Sequence, residues 1–262
     1  MKPVAMITTL ASLPRCWRLT AASAAAATLV LLAGCASTPP PADWQLNAYS
    51  AVQRANSAYL EGNTRVADAE WERARSAVRR TGRADVLARV ELTRCAAQLA
   101  SLAAPQPWAC PAFDAIAQDA SPAEQAYARY LAGTTTLADV PLLSQAQQPL
   151  ARIGAVAQNP NASASTSVLA SALTSLRAIP DPLSRLVAAA ALLQRWRAEA
   201  LLPADLLELA ALAIDTASAQ GWQRPLLAWL ALQEGWAARS GNTALADQAR
   251  RRLALIQNQA PR

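Results

Sequence analysis

The feature that most constrains this chain is the helical pattern that runs from Trp44 almost to the C-terminus. Ala, Leu, Gln, Glu and Arg dominate this part of the 262-residue sequence, and three threonines at 134–136 are its one run of β-branched residues. These residue types favour helix, and no alternation typical of strands competes with them. Glycines divide the pattern into segments joined by short turns. The sequence therefore predicts an all-α fold of antiparallel helix pairs, whose first helices cover 45–61, 64–80 and 84–103.

Further helix starts are marked by a capping residue followed by proline at the first helical position. Ser121-Pro122 has this pattern most fully, because Glu124 follows three residues after the cap. The other predicted starts and helices are Asp181-Pro182, Leu202-Pro203, 223–239 and 243–257.

Because the helix pairs recur at about 40 residues, they predict an α-solenoid of about ten helices over 44–262. The stretch 132–165 is rich in Pro, Thr and Asn, and we expect any break between two helical arrays there. Although 53% of the chain is hydrophobic, the longest clean apolar run after the N-terminus is Leu186 to Leu193. This run is too short for the roughly 20 residues of a membrane span, so these are predicted to be core helices.

The first 34 residues have the composition of a secretion signal. Lys2, Arg15 and Arg18 precede an apolar Ala/Leu/Val segment, an order typical of a signal peptide rather than a stable membrane span. The segment ends in Leu32-Ala33-Gly34-Cys35, which resembles the lipobox of bacterial lipoproteins. The resemblance implies that residues 1–34 are removed and that Cys35 is acylated. The alternative is an ordinary secretion signal in which Cys35 is incidental.

Residues 35–43 follow as a short linker that contains three consecutive prolines. Such a segment is a semi-rigid tether that spans about 3 Å per residue. The residue after Cys35 is Ala36, and by resemblance to the lipoprotein sorting rule, the absence of Asp there implies the outer membrane. The expected location is lipid-anchored, on the periplasmic face.

Without the predicted signal, the charge is close to balanced. Removing Lys2, Arg15 and Arg18 leaves 21 of the 24 basic residues, all arginine, against 18 acidic ones. Binding to nucleic acid requires a denser basic surface, so no nucleic-acid partner is expected.

Residues 35–262 contain no histidine, lysine or methionine. This excludes nucleophilic mechanisms that need an imidazole or an amine, and it argues against a zinc site. A carboxylate enzyme of the glycosidase type stays open, but the acidic pairs Asp205/Glu208 and Glu70/Glu72 have spacings equally typical of exposed helix faces. We therefore expect no catalytic residue, no metal and no cofactor.

Cys95 and Cys110 are the two cysteines that follow Cys35. In an exported protein they lie in an oxidising compartment, where disulfides persist. We expect this pair to be bonded and to hold the proline-rich loop 104–111 against the end of a helix. The alternative is two independent buried thiols. No C-x-x-C motif indicates redox catalysis.

One turn and the helix after it occur twice, as Gly62-Asn63-Thr64 and Gly241-Asn242-Thr243. The first copy resembles a tetratricopeptide-type helical hairpin, because small, aromatic and small residues stand at that family's packing positions. These residues are Ala67, Trp71 and Ala74, with Ala55 at the small position of the preceding helix. In the second copy, Ala246 matches, whereas Arg250 and Leu253 replace the aromatic and the second small residue.

Periplasmic lipoproteins with such repeats act as scaffolds or adaptors for protein partners. The resemblance therefore implies a non-enzymatic, lipid-anchored scaffold that binds a protein partner of the cell envelope. Two alternatives stay open. One is a carboxylate-dependent cell-wall hydrolase or a regulator of one, and the other is an accessory structural lipoprotein without a specific partner.

Tryptophans form a stripe on the predicted helix 223–239 and its N-terminal flank. Trp222, Trp229 and Trp236 recur at helical spacing and share one face. They are a candidate binding surface, because tryptophan is enriched at binding hot spots. The alternative is that the stripe packs between neighbouring helices.

Overall fold

The architecture follows from helices that pack against their neighbours in the chain. The computed structural model describes residues 40–105, 107–156, 166–196 and 203–258. Within these ranges the regular secondary structure is helical. The predicted signal, Cys35 and most of the tether lie outside the described residues. Ala42–Arg262 form one compact unit. Its described α-helices are α1 Asp43–Glu61, α2 Thr64–Arg79, α3 Ala84–Ala100, α4 Pro111–Asp114, α5 Pro122–Ala132, α6 Gln148–Val156, α7 Thr166–Arg177, α8 Pro182–Trp196, α9 Pro203–Ala219, α10 Gln223–Arg239 and α11 Thr243–Gln257.

The predicted fold class is confirmed. The pairs α1–α2, α9–α10 and α10–α11 have the most extensive contacts, as expected for antiparallel neighbours joined by short turns. Helix α3 is central, because it contacts α1, α2, α5 and α8. The eleven described α-helices agree with the predicted number of about ten.

The two Gly-Asn-Thr turns fold in the same way, as their sequences predict. Asn63 and Asn242 cap α2 and α11 by accepting hydrogen bonds from the backbone N–H groups of Val66 and Leu245 at 3.3 and 3.2 Å. The backbone N–H of Asn63 donates to the carbonyl of Ala58 at 2.7 Å, and Asn242 makes the equivalent bond at 2.8 Å. The repeated Gly-Asn-Thr sequence therefore forms the same capped turn in both places.

One predicted helix boundary differs from the structure. The helix expected over 84–103 ends at Ala100, because Leu102 adopts a φ of 54° and the N–H of Ala103 returns to the carbonyl of Gln98. Residues 157–165 of the stretch 132–165 lie outside the described residues, so the break expected there stays a prediction. Val140, Leu143 and Leu150 from this stretch are buried in the main core.

The buried apolar side chains form two clusters. The smaller cluster lies between α1 and α2 and includes Val90 of α3, and the tetratricopeptide-like packing residues Ala55, Ala67, Trp71 and Ala74 all belong to it. The larger cluster extends from α3 to α11. The first helix pair therefore has a small core of its own.

Buried carboxylates form hydrogen bonds that connect the first three helices. Glu70 in α2 accepts a hydrogen bond at 3.0 Å from Arg54 of α1, and this bond holds the pKa of Glu70 below its ordinary value. Glu91 in α3 receives a bidentate pair from Arg75 of α2, at 2.6 and 2.8 Å. These glutamates therefore have structural roles.

Gly133, which ends α5 with a φ of 73°, is a sensitive position in the fold. A Cβ there would lie 2.8 Å from the backbone nitrogen of Arg195 in α8. Gly221 has a similar φ of 67° but no atom within 4 Å of an added Cβ. Gly133→Ala should lower the free energy of unfolding by about 2 kcal/mol and Gly221→Ala by about 1 kcal/mol. Urea unfolding measures both, and equal midpoints would refute the close approach of α5 to α8.

Acid should weaken the loop that follows α5. Asp139 is buried, and hydrogen bonds from Arg129 and from the backbone and hydroxyl of Thr136 lower its pKa to about 2. Since this pKa is lower in the folded than in the unfolded chain, the stabilisation is complete above about pH 4 and is lost as the pH falls toward 2. We expect a loss of up to about 2 kcal/mol between these values. In Asp139→Asn this part of the acid dependence should be missing, and an unchanged profile would contradict the assignment.

Candidate binding groove

A groove of about 490 Å³ lies between α1 and α3. We call it the α1–α3 groove. Its walls come from positions three or four residues apart on each helix, which places them on one face. The lining residues are Trp44, Gln45, Ala48, Tyr49, Val52, Gln53 and Asn56 from α1, and Arg83, Val86, Arg89, Val90 and Thr93 from α3 and the residue that precedes it.

The α1–α3 groove has an aromatic and apolar character with polar groups at intervals. Tyr49 is 67% exposed, an unusually high value for an aromatic side chain. Trp44 and Val52 are half-buried beside it, and both pack on the smaller core. A preformed surface of this kind offers apolar area to a ligand without a change in the fold of the protein.

Asn56 is the most unusual residue of the groove. Its side chain is only 7% exposed, and its Oδ1 atom is buried without a hydrogen-bond partner. A buried acceptor left unpaired costs about 1–3 kcal/mol, so such atoms are rare in folded proteins. Asn56 lines the groove, but its Oδ1 atom is itself shielded from solvent, so a ligand N–H or O–H reaches it only after the side-chain amide turns toward the groove.

The charged side chains that line the α1–α3 groove are arginines. Arg83 pairs with Asp85 at 2.6 Å, and Arg89 pairs with Glu124 of α5 at 2.6 Å. Both arginine side chains are still at least half exposed. No acidic side chain is among the described residues that line this groove, so an anionic group on a ligand would share the two arginines with Asp85 and Glu124.

Arg89 and Thr93 also line a second cavity of about 400 Å³ between α3 and α5. Leu92, Tyr127 and Leu143 give it apolar walls, and Glu124 is its carboxylate. Burial opposes ionisation of Glu124, but hydrogen bonds from Ser121 and Arg89 outweigh burial and hold its pKa below the ordinary value. This carboxylate is therefore ionised and held in place at neutral pH.

Two of the three tryptophans of the stripe lie in the protein interior. Trp229 is completely buried, Trp236 is almost so, and Trp222 is half-buried against the main core. Trp229 also donates its indole N–H to the carbonyl of Ala100 at 3.0 Å. The structure thus places these side chains in the packing role that was the alternative to a binding surface.

The other predicted site residues fall in three groups. Cys95 in α3 and Cys110 just before α4 are at disulfide distance, with Cα atoms 6.0 Å apart, and both are buried. Cys35 lies outside the described residues, as does the side chain of Asp205. Glu208 is exposed and pairs with Arg177 of α7.

The sequence does not single out the groove in advance. One sequence feature of the groove, the position of Asn56, is nevertheless unusual. Asn56 has poor helix propensity, yet it lies in mid-helix on the same face as the apolar residues Val52 and Leu60. A polar residue at such a position indicates either a buried hydrogen bond or a binding contact.

Within the described ranges, the acidic and cysteine side chains form no group of three or more that could hold a metal ion. Of the helices that the structure describes, none is both long and apolar enough to cross a membrane. No family model matches the chain, and no curated protein or solved structure matches it. A functional proposal therefore depends on the groove and on the sequence features at the N-terminus.

Proposed function

We propose that this protein is a non-enzymatic, lipid-anchored scaffold on the periplasmic face of the outer membrane, and that it binds a protein partner in the α1–α3 groove. The single observation that carries the proposal is the open α1–α3 groove, which combines the exposed ring of Tyr49 with exposed arginine side chains. The lipobox-like residues that end in Cys35 support the anchor, and the prolines that follow support a tether.

An extended peptide segment fits the chemistry of the groove. Main-chain N–H groups must be paired when they leave water, and the Oδ1 of Asn56 can accept from one of them once the side-chain amide turns toward the groove. Apolar side chains of the same segment can pack on Val52 and Val86. An acidic side chain can meet Arg83 or Arg89, whose side chains are exposed.

The arrangement of the carboxylates supports a role without catalysis. A glycosidase needs two carboxylates that face each other across one cleft. The described lining of the α1–α3 groove contains none, and the cavity between α3 and α5 contains Glu124, which is held by Arg89. Glu70 and Glu91 are buried in arginine pairs that join helices.

Photo-crosslinking in the native envelope tests the proposal. A benzophenone amino acid in place of Tyr49 should yield one discrete adduct, whereas the same residue in place of Leu255 of α11 should not. Both native side chains are 67% exposed, so they are matched in accessibility. The adduct should be destroyed by protease and should resist a muramidase. Adducts of equal yield at both positions, or one that only the muramidase removes, would contradict a protein-binding groove.

A further inference from the structure

Helix α10 contacts α1, the first wall of the α1–α3 groove, through Arg224. The guanidinium donates to the carbonyl of Tyr59 at 2.7 Å and to the hydroxyl of Thr64 at 2.7 Å, and it lies 4.4 Å from the centre of the Tyr59 ring. A charge-assisted pair of hydrogen bonds combined with a cation–π contact is a strong and directional attachment. Gly62, in the turn after α1, belongs to the same contact region, since a Cβ there would be 3.3 Å from the Oε1 atom of Gln223 in α10.

The same helix also contacts α3, the second wall, through Trp229. Its indole N–H donates to the carbonyl of Ala100, which is the last residue of α3, at 3.0 Å. Trp229 is completely buried, so this bond is shielded from water. The bond also satisfies one of the carbonyls that a helix C-terminus leaves unpaired.

Arg224 and Trp229 are five residues apart on one helix, so α10 is fastened to both walls of the groove. The direct contact between α1 and α3 is far less extensive than the contact between α1 and α2. The first helix pair has a small core of its own, and between α1 and α3 lies the groove itself. We infer that α10 sets the separation of the two groove walls, and that Arg224 and Trp229 are positioning residues for the groove.

This inference rests on the proposed function and extends it, because it makes the binding groove dependent on the C-terminal helices. Helix α10 packs against α9 and α11. Displacement of α10 therefore loosens the α1 wall, which changes the fit of any ligand without a change in the residues that touch it.

The wall separation is measurable in the free protein, so the test does not depend on the identity of the partner. Nitroxide labels on p-acetylphenylalanine at Gln53 of α1 and Thr93 of α3 face the groove from opposite walls, and this chemistry leaves the cysteines untouched. Pulsed electron resonance then gives the distribution of label distances. The native protein should give one narrow distribution.

Arg224→Ala should broaden this distribution and add longer distances, and Arg224→Lys should restore part of the narrow component because a lysine can keep the cation over Tyr59. Trp229→Phe keeps an aromatic ring but removes the N–H donor, so it should shift the distribution as well. The matched control is Arg250→Ala in α11, because Arg250 pairs with Glu234 and Asp247 within the C-terminal helices. It should leave the distribution unchanged.

The inference fails if Arg224→Ala and Arg250→Ala give the same distribution as the native protein while circular dichroism shows all three folded. It also fails if Arg224→Ala broadens the distribution only in proportion to global unfolding, which urea titration of the labelled variants measures. Neither result would affect the crosslinking test at Tyr49. A failure of the inference about α10 and a failure of the proposed function are thus distinguishable.

Discussion

Replacement of both Cys95 and Cys110 with alanine is expected to lower the free energy of unfolding by about 3 kcal/mol. The two residues are 15 apart in sequence, and their bond ties α3 to the segment before α4. Without the bond, the unfolded chain regains the entropy that loop closure removed. Urea unfolding of the oxidised native protein and of the double variant measures the difference.

Reductant supplies the control for this prediction. In its presence, the native protein should unfold close to the midpoint of the double variant, whereas the double variant should not respond. If the oxidised native protein and the double variant unfold at the same urea concentration, the pair has no role in stability. Two alkylatable thiols in the denatured, unreduced protein would show that the bond is absent.

Asn56→Leu is expected to separate stability from binding. Leucine has the same branching as asparagine and removes the unpaired Oδ1 atom, but it is larger, so the free energy of unfolding should rise by at most about 1 kcal/mol. Binding of the partner should fall by at least about tenfold, because the ligand donor that paired with Oδ1 would be left without an acceptor. Stabilisation combined with loss of function is typical of a residue kept for binding.

Asn47→Leu is the matched control. Asn47 lies on the same helix but is exposed, and its position in the helical repeat is opposite to Asn56. The same substitution there should change neither stability nor binding appreciably. Asn56→Val, with a smaller side chain than leucine, separates crowding from a lost hydrogen bond. Should both Asn56→Leu and Asn56→Val destabilise the protein by about 1 kcal/mol or more, the side chain would have a partner in the folded state, and the argument from the unpaired acceptor would fail.

The helices were predictable because their signals are local. Glycine turns, asparagine caps and the Ser121-Pro122 start act over a few residues, and each marks a helix end within a residue or two in the structure. Ala67, Trp71 and Ala74 were equally clear, since their spacing is that of one helix face and all three are buried.

The groove was not predictable, because it depends on how α1 and α3 pack, and the contacts that α10 makes with them join residues far apart in the chain. Arg224 and Tyr59 are separated by 165 positions, and Trp229 and Ala100 by 129. A tryptophan stripe has the same sequence pattern whether it packs inside or binds a partner, and only the position of α10 against α3 decides between the two.

The end of α3 was obscured for a different reason. Leu102 and Ala103 are good helix formers, so the sequence pattern continues through them. In the structure the helix nevertheless ends before them, because Leu102 adopts a positive φ and turns the chain. Local helix propensity therefore does not predict the end of α3 at Ala100.

The most direct test of the central claim, that the partner binds in the α1–α3 groove, is the yield of the crosslinked adduct from position 49 in three backgrounds. The proposed function predicts the same adduct, in similar yield, in the otherwise native protein and in Asn47→Leu. It predicts that Asn56→Leu loses the adduct although the protein is folded and at least as stable. Equal yields in all three backgrounds would contradict the claim.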